Sequence, residues 1–187
     1  LKLLRLLEAE PIPHVVNMHP AYCSILIVFD PLHADHASIE ALLQQRVARI
    51  EAVELPEPRT VEIPVRYGGA EGPDLEELAS LRGLSPERVI ELHSSASYIV
   101  YFMGFVPGFA YLGGLPTELA TPRLESPRKK VPKGSVAIGG THTGIYPFET
   151  PGGWRLIGRT PLEIFDAESD ALSRLQIGDL VRFTPIE

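Results

Sequence analysis

The chain has 187 residues, a length that suits one large domain or a small domain plus a medium one, and its 44% hydrophobic and 22% charged content is that of a soluble globular protein. A formal net charge of −7 opposes binding to a phosphate backbone and argues against nucleic acid as a partner. Apolar runs too short for a bilayer, no signal sequence and Cys23 as the lone cysteine argue against a membrane span, an intrachain disulfide and a thiolate zinc site, and make the cytoplasm the expected location.

Composition divides the chain. All 16 glycines and most of the 18 prolines lie from about residue 58 onward, so a domain of residues 1–57 is expected to precede one of residues 58–187, joined through Leu55-Pro56-Glu57-Pro58. In the first part Leu3, Leu4 and Leu7 share a helical face, and Pro11 and Pro13 end that helix. His14 to Asn17 reads as extended, and Tyr22 to Phe29 as a strand apolar on both faces, with Cys23 expected as a small buried hydrophobe. Asp35 caps a helix carrying Ile39, Leu42, Leu43, Val47 and Ile50 on its apolar positions. Two strands and two helices form a small α+β layer. The chain opens on what reads as the middle of a helix, so a further N-terminal segment with another strand is expected.

In the second part Val61, Ile63 and Val65 alternate with polar residues as a strand does. Pro73 and Asp74 start a helix that Gly83 stops, and Ser85-Pro86 starts another whose apolar side carries Val89, Ile90 and Leu92. From Tyr98 onward short strands are broken by Gly and Pro every few residues, ending in the turn Gly178-Asp179 and a closing strand to Phe183. Many short strands of this kind suggest a closed barrel or a sandwich.

The usual catalytic signatures are missing. No phosphate-binding loop, dinucleotide fingerprint, nucleophile elbow or His-Glu-x-x-His pair occurs, and His33 and His36 lack a third ligand, so no metal site is expected. What stands out is the stretch from Phe102 to Pro161. Glycines let its backbone approach a ligand or another strand, prolines fix its shape in advance, and aromatics lie between them. Arg123, Arg128 and Arg159 are held beside prolines or glycines, and guanidinium matches a carboxylate or phosphate bidentately. His93 falls on or beside the apolar face of its helix, as a core histidine or a proton carrier at a pocket edge. Trp154 reads as a barrel-core or rim anchor.

Four motifs together resemble the 5-oxoprolinase B-subunit family, also called allophanate hydrolase subunit 1, carboxyltransferase domain C or the sporulation kinase inhibitor family. They are Gly104-Phe105-x-Pro107-Gly108-Phe109-x-Tyr111-Leu112; Pro122-Arg123 through Pro127-Arg128 to Val131-Pro132-x-Gly134-Ser135-Val136; Thr143-Gly144-Ile145-Tyr146-Pro147; and Pro151-Gly152-Gly153-Trp154 through Gly158-Arg159-Thr160-Pro161. The resemblance covers nearly the whole chain and is densest from His93 to Pro161. It implies a small α+β N-terminal domain followed by a cyclophilin-like β-barrel. It also implies pairing with a C subunit of related barrel fold and, once an A subunit joins them, ATP-dependent opening of 5-oxoproline to glutamate. On that reading the chain is inactive alone, and ATP binds chiefly on a partner. Arg123, Arg128, Thr143 and Arg159 become candidates for holding a carboxylate-bearing substrate, and His93, Tyr111 and Tyr146 for hydrogen bonding or proton transfer. Relatives of the same scaffold imply two alternatives: an inhibitor of a sensor histidine kinase, or half of a carboxybiotin-dependent carboxyltransferase site. The family's glutamine before Thr143 is His142 here.

Overall fold

The computed structural model describes residues 1–187, in two compact units, Leu1–Glu57 and Pro58–Glu187. In the first, helix α1 (Lys2–Ala9) leads to an antiparallel hairpin of β1 (Val15–Pro20) and β2 (Ile25–Phe29), followed by helix α2 (His36–Val47). Asp35 begins α2 with a capping box, its carboxylate accepting the Ser38 N–H at 2.8 Å. Leu7, Ile12 and Ile39 form the buried core of this unit, with Ile27 and Phe29 packed against it.

The apolar run Tyr22–Phe29 is not one continuous strand. Ala21 N–H donates to the Ser24 carbonyl at 2.8 Å, so residues 21–24 make the hairpin turn and the strand starts at Ile25. That geometry overturns the expected burial of Cys23, whose thiol is exposed at the turn. Leu26 and Val28 also face outward, because period-2 alternation leaves one side of a two-stranded ribbon uncovered.

The second unit is built on a closed seven-stranded barrel. Its strands are β3 (Thr60–Tyr67), β4 (Tyr98–Met103), β5 (Ala110–Gly113), β7 (Ser135–Gly139), β8 (His142–Ile145), β10 (Arg155–Arg159) and β11 (Leu180–Pro185), in the order β10-β3-β11-β4-β5-β8-β7. Only β11 with β3 is a parallel pair, in register from Leu180↔Thr60 to Pro185↔Val65. A separate ribbon pairs β6 (Arg128–Val131) with β9 (Thr150–Gly152). Helices α3 (Leu75–Arg82) and α4 (Pro86–Ser95) complete the unit. Gly83 ends α3 in the left-handed conformation, at φ 65°, which only glycine adopts without strain. Ser85 begins α4 by accepting the Arg88 N–H, with Pro86 in the first turn.

The barrel wall separates two apolar clusters. Along β7, Val136 and Ile138 belong to the large interior core with Ile63, Leu112, Ile157 and Val181, whereas Ala137 belongs to a second cluster with Phe109, Tyr146, Trp154 and Leu156. Strand alternation assigns these clusters to opposite faces of the sheet. No helix is long and apolar enough to cross a membrane.

Candidate functional site

His93 projects from α4 into the barrel interior and is completely buried. Its Nε2 lies 2.9 Å from Thr143 Oγ1 and its Nδ1 2.7 Å from the Tyr67 hydroxyl. Thr143 donates its own proton to the Ala137 carbonyl at 2.9 Å, so it accepts from His93, and Nε2 carries the proton. Nδ1 is then the acceptor for Tyr67 O–H. Burial drives the imidazole pKa down from 6.5 to about 3, so the ring is neutral near pH 7. Both nitrogens are committed inside the wall, and the ring stacks on Phe183 at 4.5 Å. His93 and Thr143, expected as proton carrier and substrate contact, are therefore bonded to each other within the core and do not face the outer cluster.

That outer cluster gathers the aromatics of the Gly/Pro-rich stretch. Phe109 packs edge-on against Tyr111, Tyr146 and Trp154 with ring centroids 5.0, 5.3 and 5.5 Å apart. Glycines make room for these rings. A Cβ at Gly139 would lie 2.5 Å from the Trp154 indole, and one at Gly152 would lie 2.3 Å from the Tyr146 hydroxyl. These two glycines thus seat aromatic rings. Phe105 is displayed at the edge, 58% exposed at φ 68°, in a tight turn closed by Val106 N–H donating to the Gly104 carbonyl at 2.8 Å. Such a backbone is costly for a non-glycine residue and clusters at functional surfaces.

The arginines divide sharply. Arg128 Nη2 bonds Asp74 Oδ1 at 2.6 Å, and Asp74 Oδ2 accepts the Leu156 N–H at 2.7 Å. Asp74 therefore makes no side-chain cap for α3, and Arg128 is tied to the barrel. Arg159 Nη1 approaches Glu71 at 3.3 Å, in a recess of about 210 Å³ shared with Arg66 and Lys133. It stands at the far end of β10 from Trp154, roughly 16 Å along the strand, so Arg159 does not join the other two expected cations. Arg123 alone of them has no carboxylate partner; its guanidinium lies 5.8 Å from the Trp154 ring centroid.

Around Arg123 the electrostatics are consistent. Burial raises the Tyr111 and Tyr146 pKa values, opposed by the Arg123 charge and, at Tyr146, also by a backbone hydrogen bond from Trp154. Both phenols stay protonated near neutrality and can donate to a carbonyl or carboxylate oxygen. Burial first, and Arg123 second, push the His142 pKa down, favouring the neutral ring. A cation with no internal counterion, two phenols, an imidazole and an indole face thus lie together, a set suited to a small planar anion. Trp154, read from the sequence as a core or rim anchor, packs in this aromatic layer, whereas Asp74 and Glu71 were not foreseen as the partners of two expected clamps.

Known proteins resemble this chain over most of its length. Residues 1–175 match the family described as Carboxyltransferase domain, subdomain C and D. The 5-oxoprolinase B subunit of Bacillus subtilis (strain 168) is 42% identical over 96% of this chain and 79% of its own length. The protein of that name from Escherichia coli O157:H7 is 50% identical over 92% of this chain and 79% of its length. Among solved structures, TTHA0988 superimposes with a TM-score of 0.84 at 39% identity, and this chain spans 36% of that protein's length. A conserved uncharacterized protein, PH0987 from Pyrococcus horikoshii, gives a TM-score of 0.67 at 48% identity, covering 99% of this chain and 85% of its own. The Kluyveromyces lactis urea amidolyase shares the fold, with a TM-score of 0.77 at 22% identity over 13% of its length.

Proposed function

This chain belongs to the carboxyltransferase domain family, subdomain C and D, and to its 5-oxoprolinase B-subunit members, and on that premise we propose that it is the B subunit of a 5-oxoprolinase complex. The reaction would hydrolyse the lactam amide of 5-oxoproline, with water supplying the oxygen of the new carboxylate and the ring nitrogen leaving as the amine of glutamate. One observation carries the reading beyond the name: Arg123, with no carboxylate partner, sits over Trp154 beside Tyr111 and Tyr146. A 5-oxoproline carboxylate supplies the missing counterion. The two protonated phenols would donate to the lactam oxygen, and neutral His142 would accept or relay a proton. Arg128 would steady the aromatic layer, while Thr143 and His93 would brace the wall behind it; Arg159, in its own recess, would make no substrate contact.

ATP, when bound, would supply the free energy that activates the lactam amide. We place its site on a partner, because the sequence carries no phosphate-binding loop motif. The partners would be the A and C subunits of such a complex, the latter of related barrel fold, acting together in the cytoplasm, and the barrel would be of the cyclophilin-like type. Exposed Phe105 and Tyr101 suit such a docking surface. The test is reconstitution: this chain with the A and C subunits should release glutamate from 5-oxoproline only when ATP and all three are present. A well-folded three-component mixture with no ATP-dependent glutamate would overturn the reading.

A further inference from the structure

The loop that carries Arg123 has no regular secondary structure, yet it is fastened on both sides of that residue. Arg155 Nε donates to the Pro122 carbonyl at 3.1 Å, and Leu124 N–H donates to the Gly153 carbonyl at 2.8 Å. Arg155 is a buried cation, its side chain 10% exposed. Its Nη1 stands 2.8 Å from Glu77 Oε1 as an ion pair rather than an aligned hydrogen bond. Glu77 lies on α3, three residues after Asp74, which holds Arg128. The start of one short helix, with the residue before it, therefore anchors two arginines. A planar fork with donors in separate directions meets a carboxylate and a carbonyl at once, which an ammonium on a flexible stem does poorly.

We propose that Arg155 is the positioning residue for Arg123: held by Glu77, it fixes the Pro122 carbonyl and so keeps the Arg123 guanidinium over Trp154, ready for a substrate carboxylate. The inference deepens the proposed function and rests on it only for the identity of the ligand. Trp154 is the sole tryptophan, so its fluorescence reports this geometry without any ligand.

The experiment compares acrylamide quenching of Trp154 in the wild-type chain, Arg155→Gln, Arg155→Lys, Arg123→Gln and the Arg155→Gln/Arg123→Gln double variant. If Arg155 acts through Arg123, the quenching constant rises about twofold in both single Gln variants, Arg155→Lys falls between, and the double variant adds nothing to Arg123→Gln. Additive effects in the double variant, or unchanged quenching in Arg155→Gln, would overturn the proposal. Arg155→Lys, which keeps the buried charge paired, guards against misreading a folding defect. A second arm uses the complete three-subunit complex, where Arg155→Gln should raise KM for 5-oxoproline about tenfold and leave kcat within about twofold. Non-additive quenching with an unchanged KM would uphold the positioning and reject the carboxylate reading of the site.

Discussion

Acidification should weaken the barrel through one residue, His93. In the folded protein its pKa is lowered from 6.5 to about 3 because burial denies the imidazolium its hydration. Above pH 6.5 the ring is neutral whether the chain is folded or not, and His93 contributes no pH dependence. Below that value the unfolded chain takes up a proton that the folded one refuses, so stability is lost as pH falls, down to the folded pKa. The loss is about 1.4 kcal/mol per unit, or about 2 kcal/mol at pH 5. The measurement is urea denaturation followed by Trp154 fluorescence, which reports the barrel unit, at pH 7 and pH 5. His93→Gln is the control, since its amide can bond Tyr67 and Thr143 without titrating. That variant should be weaker at pH 7 by about 1–3 kcal/mol, from imperfect replacement of buried bonds, yet lose about 2 kcal/mol less than wild type on going to pH 5. Equal losses in both proteins would refute the assignment of His93 as a neutral core residue.

Gly139→Ala should displace the Trp154 ring, because the added Cβ falls 2.5 Å from the indole; a cost of about 1–3 kcal/mol and a red-shifted emission are expected. Asp74→Asn removes the charge holding Arg128 and weakens the acceptor of the Leu156 N–H. Denaturation should show a loss of about 2 kcal/mol, less than for a fully enclosed pair because the Arg128 side chain is 30% exposed. In the assembled enzyme Arg123→Gln should raise KM for 5-oxoproline roughly 10- to 100-fold, while Arg159→Gln should leave it within about twofold. A reversal of those two results would move the carboxylate site to the Glu71 recess.

Local rules made the helix ends readable: Asp35, Gly83, Ser85 and Pro86 all act where their chemistry places them. The closing strand after Gly178-Asp179 was legible for the same reason, although its parallel partner β3 was not. The arginines show where such reading stops. Arg128 and its partner Asp74 are separated by 54 positions, and nothing in the motif around Arg128 announces a carboxylate that the fold brings to it. An arginine aimed at a ligand and one neutralised by its own chain have the same local sequence. Cys23 failed differently: an apolar run looks like strand throughout, while the bond from Ala21 to Ser24 bends its first part into a turn.

The barrel wall at β8 is one residue thick, with Thr143 inside and its neighbours His142 and Gly144 across from Gly139 and Ala137. Substitutions at 142 can therefore change the outer surface and leave the interior bonding intact, so chemical identity there is free to drift. Length is not: one inserted residue would swap the sides, swing the Thr143 hydroxyl outward and strand the Nε2 proton of His93 without an acceptor. Homologues that differ in substrate should accordingly vary by replacement along this strand and never by insertion.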